Sequence, residues 1–537
     1  MPDNKILIYD STLRDGAQGE HVSFSKDDKL RIAVKLDELG VAYIEGGWPG
    51  SNPRDFDFFR EAAGLKFRYA KLCAFGCTRR KDLAAADDPQ LVSLLESGAP
   101  VCTIVGKTPA SQAREVLNAS PEENLAMIRE SCRFLADAGR EVLFDAEHFF
   151  DGWRENRAYA EQVLTAACEG GASAVTVCDT NGGLLPLEVL EITREVRAFL
   201  PENIVLGIHC HNDSGTAVAD TIMAVRSGAR LVQGTVNGIG ERCGNANLCT
   251  IIPNFELKTD FKCLPPGHLA MLKDVADFVW EKANMRPDRH APYVGESAFA
   301  HKAGLHVDAV AKNPLTFEHV RPESVGNRRR ILISELSGKH SLTMKAAEFG
   351  IDLRDSRLGN AGLQELKRRE RAGYEYETAE ASFVVLMHKV MNLWPSYFTL
   401  EGFRVIIEKR GSDDRVVSEA TVKLSVGGVS QLTAAEGDGP VNALDLALRK
   451  SLERFYPELR DVSLIDYKVR ILESINGTAA QTRVRIQSHD STSVWDTVGV
   501  SENIIEASWI ALADSVEYAL FKKHIAPSNS QEGQEPS

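Results

Sequence analysis

Ile204-Val205-Leu206-Gly207-Ile208-His209-Cys210-His211-Asn212-Asp213 joins an apolar run to a polar end. Side chains alternate faces along a strand, so His209 and His211 project from the same face. Two imidazoles side by side at a strand's end can enter the first shell of a divalent cation. They can equally be strand-terminal polar residues, hydrogen-bonded locally. The sequence around them decides between the two.

Short apolar runs recur on both sides of this stretch, at residues 5–9, 42–46, 71–76, 101–105, 141–145, 174–178, 204–208 and 231–236. Each is continuously apolar rather than alternating, the mark of parallel strands covered on both faces. Amphipathic helices separate them, with readable ends. Ser25 opens one that Gly40 closes, with Ile32, Leu36 and Leu39 inward. Ser120-Pro121-Glu122-Glu123 opens another, with Ser120 as N-cap, Pro121 at the first helical position and Glu123 closing a capping box. Leu125, Ile128, Cys132 and Leu135 mark its buried stripe, and Gly139 ends it. Eight strand–helix units in about 260 residues match a TIM (β/α)8 barrel. The first β–α turn lacks the G-x-G-x-x-G of a dinucleotide-binding open sheet, which disfavours that alternative.

The chain of 537 residues has room for more than a barrel. Residues 271–395 read as helical linker subdomains, with Arg328-Arg329-Arg330 as a solvated or interface patch. Residues 396–525 change character: strands alternate as in a half-exposed sheet, and a β-β-β-α unit occurs twice. This predicts an α+β domain with helices on one face of an antiparallel sheet. The tail, 526–537, is polar and predicted disordered. A net charge of -14 argues against nucleic-acid and anionic-membrane partners, and no apolar run is long enough to span a bilayer. Ten cysteines without a disulfide pattern, and no visible signal peptide, predict a cytoplasmic protein. Cys73 and Cys77 read as buried free thiols.

In a barrel the chemistry gathers where strands end. Those ends carry Asp10 to Gln18, Glu45 to Pro49, Asp145 with Glu147, Asp179 to Gly182, His209 with His211, and Asn237 to Asn247. So many charges at one rim argue for a reactive mouth. Asp15 can add a carboxylate oxygen to the two imidazoles, and Asn245 a carbonyl oxygen. Such a nitrogen–oxygen set suits Mn, Mg, Co or Zn and can bind a 2-oxo acid through its keto and carboxylate oxygens. Arg14 is placed to stabilise developing alkoxide charge.

Leu13-Arg14-Asp15-Gly16-Ala17-Gln18, His209-Cys210-His211-Asn212-Asp213 and Asn237-Gly238-Ile239-Gly240-Glu241-Arg242-Cys243-Gly244-Asn245-Ala246-Asn247 resemble signatures of the 2-isopropylmalate, homocitrate and citramalate synthase family. The resemblance covers about residues 5–520. Residues 43–53, 298–307 and 327–338 resemble its citramalate branch. The resemblance implies a metal-dependent Claisen condensation of acetyl-CoA, as cosubstrate, with pyruvate, on a route to isoleucine. It implies metal ligands Asp15, His209, His211 and Asn245, with catalytic roles for Arg14, Glu147 and His306. Substrate contacts are implied at Arg14, Gln18, Asp145 and Thr180. A homodimer or larger homo-oligomer is implied, with an amino-acid effector, isoleucine, at the C-terminal domain. The same reaction on 2-oxoisovalerate is the nearest alternative, and a metal-dependent acyl-CoA lyase or aldolase a more distant one. Thr316-Phe317-Glu318 departs from the family pattern, which carries Tyr where Phe317 stands.

Overall fold

The computed structural model describes residues 4–302, 304–332, 338–409, 416–472 and 480–525. The 526–537 tail lies outside them. The chain packs as two compact units, one of 1–299 with 319–329, the other of 300–318 with 330–537. This differs from the partition expected at 270 and 395. Part of the linker segment packs with the barrel, where Val320 and Val325 join the core that holds Ile32 and Phe58.

The first unit holds a closed parallel barrel in chain order. Its strands are β1 (Leu7–Asp10), β2 (Tyr43–Gly47), β3 (Lys71–Cys77), β4 (Val101–Lys107), β5 (Glu141–Glu147), β6 (Ala174–Asp179), β7 (Val205–Cys210) and β8 (Leu231–Gly234). One face of each strand packs outward: Ile8, Ile44, Phe144, Val175, Ile208 and Val232 are buried under the helical ring with Ile32, Leu36 and Phe58. The alternate residues point inward. Tyr9, Tyr43, Cys73, Val101, Leu143, Ala174 and Leu231 form a separate apolar plug that closes the N-terminal end of the barrel. Period two then puts Glu45, Thr103, Asp145, Thr176, His209 and Gln233 on the interior next to that plug, on its C-terminal side. The plug excludes water from below, so these polar groups must satisfy one another or face the mouth.

Helix starts follow the sequence closely. Ser25 caps the helix Lys26–Leu39 in a reciprocal box with Asp28, and Gly40 ends it at φ 95°. Ser120 accepts from the Glu123 amide at the start of Pro121–Asp137, as expected. The expected return bond from Glu123 is not made. Its carboxylate accepts instead from Arg79, whose guanidinium also pairs with Glu130. A nearly buried guanidinium demands anionic partners, and a bond charged on both sides outweighs one from the carboxylate to a neutral backbone N–H.

The second unit contains the helices Gly304–Lys312, Lys339–Glu348, Ser356–Arg371 and Glu380–Val390, and then two meanders. Strands β9 (Thr399–Lys409), β10 (Val416–Val426) and β11 (Val429–Gly437) form one antiparallel sheet, and β12 (Ser463–Ile471), β13 (Thr482–His489) and β14 (Val494–Ser501) another. The duplicated β-β-β-α units thus form two three-stranded sheets. Each is followed by its helix, Pro440–Leu452 or Ile504–Ile525, and both helices enter one core. Trp509 of the second helix stacks on Phe403 of the first sheet at 5.4 Å, which joins the repeats through side chains rather than strand pairing. The register shifts at the same place in each repeat, between Leu400 and Gly402 and between Leu464 and Asp466, which supports the duplication. Helix Glu380–Val390 docks on Ile504–Ile525 through Ser382 with Asp514 and Lys389 with Glu517.

Candidate active site

The C-terminal mouth of the barrel encloses a cavity of about 350 Å³. Arg14, Asp15, Gln18, Asp145, Glu147, Thr180, His209 and His211 all line it. His306 does not belong to this unit. It sits exposed on the helix Gly304–Lys312 of the second, with its ring stacked on Phe317 at 4.2 Å.

Asp15 follows β1, and the histidines end β7. Among the described residues these three offer one ligand atom each, all within 4.8 Å of one another. His209 Nε2 lies 3.4 Å from Asp15 Oδ2. Burial lowers the pKa of both imidazoles, His211 to about 4, so both stand neutral with lone pairs available. Burial alone would push the Asp15 carboxyl up, but the Arg14 charge, with the Asn245 amide, outweighs it and holds it below the usual range. Two buried atoms next to this trio, His211 Nδ1 and Asn245 Oδ1, have no hydrogen-bond partner among the described residues. Orphaned buried acceptors are costly, and a cation would satisfy them. The donor set of two nitrogens and two oxygens fits an oxygen-tolerant divalent ion and not a sulfur-bound structural zinc.

The loop after β8 is built to bring Asn245 here. Asn245 and His211 pair across an isolated antiparallel bridge, and the Asn245 amide donates to the Gly238 carbonyl at 3.0 Å. Gly244 adopts φ 86° with the Gly238 oxygen only 2.0 Å from where a Cβ would stand. Only glycine fits that approach. Arg242 ties this loop to its neighbours, donating to Asp213 and to the Thr180 carbonyl.

Arg14 is held from behind. Its Nε donates to Glu45 Oε2 at 2.8 Å, and its guanidinium lies over the Phe75 ring at 3.9 Å. Glu45, fully buried, also accepts from the Tyr9 hydroxyl at 2.7 Å. Burial works against the Arg14 charge, yet the carboxylates of Glu45 and Asp15 more than restore it. Across the cavity Glu147 Oε2 pairs with Lys107 at 2.6 Å. Thr180 accepts from the His148 amide at 2.8 Å, which leaves its hydroxyl proton for a ligand. Asp145 is buried, and that burial with the nearby Glu45 charge pushes its carboxyl up to about 7.

Four contributors escaped sequence reasoning: Tyr9, Phe75, Lys107 and Gln233. Glu45 was visible at the rim but had no assigned partner. A polar Gln233 inside the otherwise apolar 231–236 run was the one available signal. Cys77, expected to be buried, is half-buried at the cavity wall, and all ten cysteines are free thiols. No helix among the described residues is long and apolar enough to cross a membrane.

Three family models account for most of the chain. The HMGL-like model matches residues 5–279, the homocitrate synthase post-HMGL domain-like model 293–371, and the LeuA allosteric (dimerisation) domain model 377–520. The last begins before the expected boundary at 396, consistent with helix Glu380–Val390 packing on Ile504–Ile525. An (R)-citramalate synthase of Aquifex aeolicus is 53% identical over 96% of this chain and 98% of its own. That of Geobacter sulfurreducens is 51% identical over 96% and 98%. That of Synechocystis is 48% identical over 96% of each. With a closed eight-stranded barrel, a polar mouth and near-complete alignment to these relatives, the chain is an enzyme of the HMGL-like family and belongs, within it, with the (R)-citramalate synthases.

Proposed function

We propose that this enzyme condenses acetyl-CoA with pyruvate and hydrolyses the thioester formed, releasing (R)-citramalate and CoA, on a route to isoleucine. The observation that carries this reading is the Asp15–His209–His211 trio, with two orphaned buried acceptors beside it and Arg14 at the same wall. These residues and Asn245 would hold a divalent cation, which would supply Lewis acidity to a 2-oxo group. The chain's own groups do the rest. Arg14, fixed through Nε, presents its outer nitrogens to the oxygen that gains charge as the keto carbon is attacked. Thr180 donates to the acid's carboxylate, with Asp145 and Gln18 lining the same space. Glu147, held at one oxygen by Lys107, and His306 serve as the acid–base groups that take the acetyl methyl proton. The dimerisation model matched at residues 377–520 supports a homodimer or larger homo-oligomer. Ten free thiols support a reducing, cytoplasmic setting.

Free thiol released from acetyl-CoA, with Mn²⁺ present, tests the acceptor. Pyruvate is expected to exceed 2-oxoisovalerate and 2-oxoglutarate by at least ~10-fold in kcat/KM, the low end of what one methylene is worth in a hydrophobic pocket. A better rate with 2-oxoisovalerate sinks the pyruvate assignment in favour of 2-isopropylmalate synthesis.

The same assay reads regulation. The duplicated α+β region matches an allosteric family model, and we propose isoleucine as its effector. Isoleucine is expected to depress turnover of the full-length enzyme at concentrations where leucine and valine do not. Equal sensitivity to all three, or to none, removes the effector assignment.

A further inference from the structure

Gln233 lies on the inward face of β8, fully buried, and touches residues of three other strands. Its Nε2 is 2.8 Å from Asp145 Oδ1 on β5 and 3.2 Å from Thr176 Oγ1 on β6. Its Oε1 is 2.9 Å from His209 Nδ1 on β7. While Asp145 is ionised its oxygen only accepts, so the amide nitrogen faces Asp145 and the amide oxygen faces His209. That oxygen cannot donate. His209 Nδ1 therefore carries the ring proton, and the lone pair sits on Nε2, the atom that points at Asp15.

The neighbouring backbone makes room for this arrangement. Gly207 occupies the inward position two residues before His209, and a Cβ there would stand 2.6 Å from Thr176 Oγ1. The missing side chain lets Thr176 and Gln233 meet. Three strands thus cooperate to orient one amide, although Gln233 itself does not line the cavity.

From this geometry we infer that Gln233 is a positioning residue, oriented by Asp145 and Thr176, that fixes His209 in the tautomer able to ligate a cation through Nε2. The inference rests on the proposed cation site. A hydrogen bond to the far nitrogen of a ligating imidazole sets both its orientation and its basicity, and losing it commonly costs 10- to 100-fold in metal affinity.

Mn²⁺ binding to the full-length chelator-stripped protein, followed by titration calorimetry, separates the possibilities. Wild-type protein that binds no Mn²⁺ sinks the cation site itself. If it binds, Gln233→Met, similar in shape but unable to accept, is expected to weaken binding by about 10- to 100-fold. Gln233→Glu keeps an acceptor facing Nδ1, with one proton shared between the new carboxyl and Asp145 in place of the amide's donated bond, and is expected to stay within about threefold, since the tautomer is preserved. A purely structural role would lower the melting temperature of both variants without separating their affinities. Near-wild-type binding by Gln233→Met, or equal weakening of the two, overturns the inference. Thr176→Val, which removes one of the amide's two anchors, guards against a Gln233→Met protein that fails to fold. It is expected to weaken binding by about threefold, the smaller share of the same hydrogen-bond network. Unchanged binding there also counts against the assignment.

Discussion

Replacing Arg14 by lysine is expected to lower kcat/KM by about 10²- to 10³-fold, or roughly 2.7–4 kcal/mol, the usual cost of removing one preorganised donor from a developing oxyanion. The charge is conserved, so the loss is one of geometry. Arg14 uses Nε for Glu45 at 2.8 Å and its face for the Phe75 ring at 3.9 Å, while Nη1 stands 3.7 Å from Asp15. Three directions are served by one rigid plane. An ammonium is a point donor, and no single position on a flexible stem reproduces them all. If it pairs with Glu45, whose burial would otherwise leave an uncompensated carboxylate, it is withdrawn from the substrate. Mn²⁺ binding should survive the change, since none of the proposed ligands is altered. Activity of Arg14→Lys within threefold of wild type would show that charge alone suffices and that the Tyr9–Glu45 support is idle.

That support shows where sequence reading stops. Period two along β7 is local, so the shared face of His209 and His211 is legible in five residues, and the barrel follows from the recurrence of such runs. The pairing of Arg14 with Glu45 is not local. It needs the register of β1 on β2, in which Tyr9 lies beside Tyr43 and Asp10 beside Ile44. Gln233 was hidden for the same reason: its meaning depends on Asp145, Thr176 and His209 arriving at one level from three other strands. Glu123 shows local logic overruled, because a cap motif yielded to a buried Arg79 from a distant loop. In the second unit the alternation of strands was readable, but not whether six strands make one sheet or two. The repeats meet instead through side chains such as Trp509 and Phe403, a contact between positions far apart in the sequence.

Asp15→Asn is expected to abolish tight Mn²⁺ binding and cut turnover by about 10³-fold or more, the several kcal/mol of charge stabilisation that a bound cation contributes. The substitution keeps shape and removes only charge, at a group that is 3% exposed and surrounded by neutral nitrogens. Without it the remaining donors, two imidazoles and an amide oxygen, carry no negative charge to offset a dication, and Arg14 is left as an unopposed neighbour on that side. The defect should therefore appear in binding first, and raising Mn²⁺ into the millimolar range should not restore turnover. Both readouts are needed. Lost activity with intact Mn²⁺ affinity would move Asp15 from the cation to the substrate. Full rescue by excess metal would make it one weak ligand among several, and His209 with His211 would then have to hold the ion without an anion from β1.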